Sequence, residues 1–228
     1  MTRCLPRGTC TLPASTILIK LLVAILHGVL GVVLLYVNSR LGWWQVSPAV
    51  NYATLGAEYY LLFMCGTNLL LNIYRIIGYE VSEFFDAPAF ATSPHSLWRR
   101  WNIPMHEWLR DNVYLQITGR KRLYTGIPLV FVASGLCHGY TVSLASCTTN
   151  GFMLIFFMIQ SCVYVLSMLL HDLLSGHITD YKRRKDLAVI KWALTMASVI
   201  VPGFLFVHNM DRVFLLHEFW ILQYLTLR

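Results

Sequence analysis

Apolar residues run along this chain in long blocks, separated by short polar and basic stretches. The first block, Ser15 to Val37, follows a segment holding Arg3, Pro6, Arg7 and Pro13. At roughly 1.5 Å per residue it exceeds the ~30 Å hydrocarbon thickness of a bilayer. It is also longer than a signal-peptide core of about 7–15 residues. It predicts a membrane-spanning helix, with Lys20 near its end free to snorkel.

A second block, Thr54 to Ile77, is less pure, because it contains Glu58, Asn68, Asn72 and Arg75. Asn68, Asn72 and Arg75 recur at i, i+4 and i+7, one helical face. Such a face packs inward or lines a cavity. Gly78 to Thr125 carries too many charges to span. A third span is predicted over Gly126 to Thr148 and a fourth over Gly151 to Leu174. The uncharged turn Ser146 to Gly151 makes them antiparallel neighbours. A fifth span runs from Leu187 to Val207, interrupted at Pro202-Gly203. The apolar tail Val213 to Leu227 reads as a sixth, tilted span or as an interfacial helix.

Composition agrees with this pattern. The 228 residues are 57% apolar and only 13% charged, with a mean hydropathy of +0.57. A soluble domain usually carries about a quarter charged residues. The net charge of +7 would suggest nucleic acid in a soluble protein, but no basic soluble domain is left to carry that role. The basic runs Arg120-Lys121-Arg122 and Lys182 to Lys185 instead flank two spans joined by an uncharged turn. The positive-inside rule places both runs, and the N-terminus with Arg3 and Arg7, on the cytoplasmic side. They would face anionic lipid or a phosphate-bearing substrate.

The expected fold class is therefore all-α: a polytopic transmembrane bundle of five or six spans plus an interfacial amphipathic helix, forming one membrane-embedded domain over residues 1–228. Cys4, Cys10, Cys65, Cys137, Cys147 and Cys162 show no CxxC and no metal-like spacing. The four in or at the edge of apolar runs read as small buried hydrophobes, Cys4 and Cys10 read as without a role rather than acylated, and no metal or cofactor is expected.

Two segments carry candidate chemistry. In Leu97 to Tyr114, Leu97, Trp101, Met105 and Trp108 form an apolar helical stripe, with Arg99, Arg100, Glu107, Arg110 and Asp111 on the rest. This predicts an interfacial amphipathic helix. Pro104 removes one backbone donor, frees the carbonyl of Arg100 and predicts a kink. Asn102 and His106 share a face, four residues apart. On the residues alone a membrane-surface anchor is the favoured reading of the segment, and a functional element is the alternative. In the third span, VASGLCHGYT places His138 in the middle of an apolar helix, with Ser134 and Thr141 on its face. Gly135 and Gly139 would let another helix come close. An ionisable residue at bilayer depth is a functional candidate. Burial keeps an imidazole neutral and able to accept a proton. The alternative is a neutral histidine hydrogen-bonded between helices.

The string WRRWNIPMHEWLRDNVY, Trp98 to Tyr114, resembles the signature helix of the membrane-bound O-acyltransferase superfamily. WNIPMHEWLR is similar to the sterol and diacylglycerol acyltransferases. WRRW with EWLRDNVY also resembles the bacterial glycan O-acyltransferases. FFDAPAFATSPHSLWRRWN, Phe84 to Asn102, looks most like the wax-synthase-like branch. SGLCHGY, Ser134 to Tyr140, resembles the second signature, which ends in the catalytic histidine. Asn102 and His138 stand 36 residues apart, a spacing that matches the family.

The resemblance implies that His138 is the general base and Asn102 its catalytic partner. It implies transfer of a fatty acyl group from acyl-CoA, a co-substrate and not a cofactor, to a hydroxyl. The acceptor is expected to be a lipid alcohol, whether long-chain alcohol, sterol or diacylglycerol. The alternatives are a glycan or secreted protein, or a non-catalytic lipid-binding subunit. Trp98, Arg99, Arg100, Trp101, His106, Ser134 and Thr141 become candidate substrate-binding residues. Arg99, Arg100 and Arg120 to Arg122 suit bidentate contacts to CoA phosphates. Asn102 and His138 are expected to face one cavity. Expected partners are acyl-CoA, the acceptor and membrane lipids, with no nucleic acid. A eukaryotic source would place the protein in the endoplasmic reticulum. The family usually has eight or more spans. Five or six imply a short member, a fragment or splice form, or a tunnel completed by self-association into a homo-oligomer.

Overall fold

The structure is a computed structural model, and it describes residues 12–41, 47–118, 123–147, 151–177 and 187–214. Among these residues it contains helices and no strands. In chain order they are α1 (Ala14–Leu41), α2 (Pro48–Ile77), a short 3-10 turn (Pro88–Phe90), α3 (Pro94–Arg100), α4 (Ile103–Leu109), a π-helical turn (Arg110–Tyr114), α5 (Leu115–Thr118), α6 (Leu123–Ser146), α7 (Phe152–His177) and α8 (Ala188–Phe214). Five of them, α1, α2, α6, α7 and α8, are long and apolar enough to cross a membrane. These are the five predicted spans. Most of the tail expected to form a sixth lies outside the described residues, as do the basic runs at Arg120 and Lys182, Arg3 and Arg7, and Cys4 and Cys10.

The chain divides into two compact units between Phe84 and Phe85. In the first, α1 and α2 form a helical hairpin. Gly28 and Gly31 let the helices touch: a Cβ on Gly28 would lie 2.8 Å from the Cys65 Sγ, and one on Gly31 would lie 3.0 Å from Leu62. Outward-facing Leu18, Leu22, Ile25, Leu26 and Val29 are exposed, as suits a helix solvated by lipid. The polar face of α2 turns inward, as its spacing predicts. Asn72 and Arg75 are buried. Arg75 donates to the Asn72 Oδ1 at 3.3 Å, the Val81 carbonyl at 3.0 Å and the Glu83 Oε1 at 2.8 Å. Lys20 donates to the same Glu83 oxygen at 2.7 Å. Asn38 of α1 donates to the buried Glu58 of α2 at 3.0 Å. Buried charge is tolerated only when paired and hydrogen-bonded in this way.

In the second unit α6, α7 and α8 pack around an aromatic core. Ile127, Phe131, Phe156, Phe157 and Leu205 are buried at its centre, and Trp98, Tyr164 and Phe206 close against them. Gly135 sets the approach of α6 to α7, since a Cβ there would lie 3.1 Å from the Leu154 Cα.

Three local expectations are corrected. The segment 97–114 is not one kinked helix. It breaks at Asn102, whose backbone is left-handed (φ 45°, ψ 63°), and restarts as α4. Pro104 then lies in the first turn of α4, where its missing N–H costs nothing. The carbonyl of Arg100 accepts from the Asp86 N–H at 3.1 Å, so the break ties α3 to the preceding loop. Second, α8 continues through Pro202-Gly203. The Ser198 carbonyl, which Pro202 deprives of its helical donor, accepts from the Gln160 Nε2 on α7 at 2.9 Å. Third, Cys137 and Cys162 are exposed on their helices and Cys147 is exposed just past the end of α6, not buried; of the described cysteines only Cys65 is partly covered. In a bilayer an exposed thiol of this kind meets lipid at little cost.

Candidate active site

His138 sits in the second half of α6, half-buried against the aromatic core. Its imidazole stacks on Phe157 of α7, with ring centroids 5.0 Å apart and planes inclined by 16°. Phe206 of α8 meets it edge-on at 5.9 Å. The hydrogen bond between helices that a purely structural histidine would make is not seen among the described residues. Gly139, next along α6, faces Met153 with room for a methyl, since a Cβ there would stand 3.9 Å away.

The first signature segment reaches this core through Trp98 on α3. Its ring contacts Phe131 at 5.5 Å, Phe156 at 6.4 Å and Phe157 at 6.0 Å. Phe157 therefore touches both His138 and Trp98. The Trp98 Nε1 is buried without a hydrogen-bond partner among the described residues. A buried donor left open costs about 1–3 kcal/mol and calls for a partner, whether water, ion or ligand.

The local sequence explains how Trp98 is held. Ser93 caps α3, its hydroxyl accepting from the Ser96 N–H at 3.1 Å. Pro94 pre-sets the first turn. At the far end, Phe85 packs edge-on against Trp101 at 5.2 Å. The Trp192 indole of α8 donates to the Ala89 carbonyl at 2.7 Å, holding the preceding turn.

Asn102 is half-buried and caps α4, its Oδ1 accepting from the Met105 N–H at 3.4 Å. The cap uses the oxygen and makes no demand on the Nδ2 hydrogens. Among the described residues no hydrogen bond joins Asn102 to His138. Arg99 is exposed, and Arg100 stands 3.8 Å from Asp86. Ser134 is half-buried on α6, whereas Thr141 is exposed and donates its hydroxyl to the Cys137 carbonyl at 2.9 Å.

His106, half-buried on α4, has its pKa lowered from the ordinary histidine value by burial first and then by Arg110, His95 and Arg99, with Glu107 opposing. His95 is lowered by burial and by Arg99. Both rings are thereby biased to neutrality beside arginines. No group of three or more His, Cys, Asp or Glu side chains suited to a metal exists among the described residues. A shallow groove of about 470 Å³ runs along the outward face of α7, lined by Ile155, Met158, Ile159 and Cys162 among others. Its lining is apolar and has none of the candidate residues, so it reads as lipid-facing surface.

Sequence reasoning missed Phe157, Phe206 and Gln160. The aromatics are indistinguishable by pattern from any lipid-facing residue. Gln160, one polar residue in an apolar span, was a visible signal, as was Pro202 four residues beyond Ser198.

Five helices long and apolar enough to cross a membrane, with Trp98 of one motif segment and His138 of the other meeting at Phe157, mark an integral multi-pass membrane protein. A model of the membrane-bound O-acyltransferase family, MBOAT, matches residues 59–200, and the chain belongs to that family. It is similar to the probable alginate O-acetylase AlgI of Azotobacter vinelandii, 30% identical over 101 residues, which are 40% of this chain and 20% of the relative. It is similar also to the protein of the same name from Pseudomonas syringae pv. tomato, 24% identical over 169 residues, 70% of this chain and 29% of the relative. The chain thus matches less than a third of the length of these curated relatives.

Proposed function

We propose that this protein is an O-acyltransferase that moves an acyl group from a thioester donor, acyl-CoA, to a hydroxyl, with His138 as the general base. The observation that carries the reading is the shared contact of Phe157 with His138 and Trp98, which brings the two motif segments to one place. The acceptor hydroxyl gives its proton to an imidazole nitrogen of His138 as its oxygen attacks the thioester carbonyl. The tetrahedral adduct then expels the thiolate, which recovers the proton from the imidazolium. A base so placed is typically worth about 10²–10⁴-fold in rate. The phenylalanines keep water away, which limits thioester hydrolysis. The open Trp98 N–H and the Nδ2 hydrogens of Asn102 are donors suited to the carbonyl oxygen as its charge develops.

Two acceptors are weighed. The relatives' name, alginate O-acetylase, favours a polysaccharide hydroxyl and an acetyl donor. The likeness of Phe84 to Asn102 to the wax-synthase-like branch favours a long-chain alcohol. The test uses purified protein with labelled acetyl-CoA or palmitoyl-CoA, and either an alginate oligosaccharide or a long-chain alcohol. Labelled ester on one acceptor, lost in His138→Ala with the protein still folded, is the expected result. No ester on either acceptor, or turnover surviving His138→Ala, sinks the reading.

A further inference from the structure

A proline in the middle of a spanning helix leaves the carbonyl four residues back without its N–H donor. In α8 that carbonyl belongs to Ser198, and the donor it receives is the side-chain amide of Gln160, fully buried on α7. The amide is thereby oriented: Nε2 faces the carbonyl, and Oε1 is buried without a partner among the described residues. Helix continuity alone does not call for such an arrangement. An alanine at position 202 would restore the missing rung and need no buried amide.

What the Gln160–Ser198 bond adds is a tie between α7 and α8, one turn before Pro202. One turn after Pro202, Phe206 meets Phe156 at 5.4 Å, Phe157 at 6.4 Å and the His138 imidazole at 5.9 Å. A helix at a proline bends easily, and the bend is set by whatever satisfies the freed carbonyl. The side chain of Gln160 therefore governs where the far half of α8 lies, and so whether Phe206 reaches His138. We propose that Gln160 is a positioning residue for the His138 site, acting through the missing helical rung at Pro202 to hold Phe206 against the imidazole. This rests on His138 being the base of the proposed reaction.

The test uses the full chain in detergent, with two readouts: acyl transfer, and the rate at which diethyl pyrocarbonate modifies His138, followed by peptide mass spectrometry. Gln160→Met, similar in volume but unable to donate, is expected to raise the modification rate several-fold and lower turnover about tenfold. Adding Pro202→Ala gives Ser198 an N–H donor again and is expected to reverse both effects. A modification rate unchanged in Gln160→Met, or a double variant as impaired as the single one, overturns the proposal. If Gln160→Met does not fold, Phe206→Leu replaces it: a faster modification of His138 supports the proposal, and an unchanged rate overturns it. The modification readout does not depend on turnover. A protein inactive on every acceptor that still shows the Gln160 effect removes the proposed function and leaves the positioning role standing.

Discussion

The imidazole of His138 lies nearly flat on the ring of Phe157, 5.0 Å between centroids, and both come from helices that pack tightly at Gly135. The stack depends on that approach. Gly135→Ala puts a methyl 3.1 Å from the Leu154 Cα, and backbone cannot step aside as a flexible side chain can. Overpacking of this kind costs about 1–3 kcal/mol. The expected outcome is a lower melting temperature in detergent together with a loss of acyl transfer. Gly139→Ala, where the nearest atom is 3.9 Å away, should leave melting nearly unchanged.

Trp98→Phe separates packing from hydrogen bonding. Phenylalanine keeps most of the contact with Phe131 and Phe157 but has no N–H. The buried donor has no partner among the described residues, so its loss should leave stability unchanged or raise it by about 1 kcal/mol, less what the smaller ring forfeits in packing. Acyl transfer should fall about tenfold, the loss of one hydrogen bond made during reaction. A stability loss with unchanged turnover would show that the indole only fills space.

Asn102 has two jobs that glycine and alanine divide. Its φ of 45° is comfortable for glycine and strained for alanine. Asn102→Gly should lose the cap and the amide while keeping the backbone, at a few tenths of a kcal/mol. Asn102→Ala should cost about 1–2 kcal/mol more. Turnover should fall alike in both, and by more than acyl-CoA binding weakens, if the amide acts in the transition state. Chemical melts and single-turnover rates measure the two effects.

His106 gives the fold a pH dependence of known sign. Its folded pKa is lowered, so the unfolded chain binds more protons as pH falls through the ordinary value of about 6.5. Stability therefore decreases on acidification from pH 7 to 5 and levels off below the folded pKa. His95 contributes in the same sense. Melting temperature against pH should slope less in His106→Gln, and an identical slope would show that other groups carry it.

The spans were legible because a bilayer filters on length and apolarity, and both can be counted along the chain. The inward face of Asn72 and Arg75 was legible for the same reason, since polar groups in lipid have few places to go. The break at Asn102 was not. A left-handed residue before Ile-Pro competes with a good helical stripe, and the decision rests on the Asp86 N–H taking the Arg100 carbonyl, a contact 14 residues away. Pro202 failed in the opposite direction, because its remedy, Gln160, lies on another helix. His138 was recognisable as a candidate from its depth alone, but its aromatic surround comes from α7 and α8, beyond any local pattern.

Glu83 accepts from Lys20 and from the buried Arg75 on one carboxylate oxygen, and it is synthesised after both. Lys20 leaves the ribosome 63 residues ahead of it, a wait of several seconds at ordinary translation speed. Arg75 waits for only 8 residues, so Lys20 is the cation that goes longest without this anion. The ion pairs that tie both spans to the loop beyond them therefore close last, after the hairpin contacts at Gly28, Gly31 and Asn38 are already available.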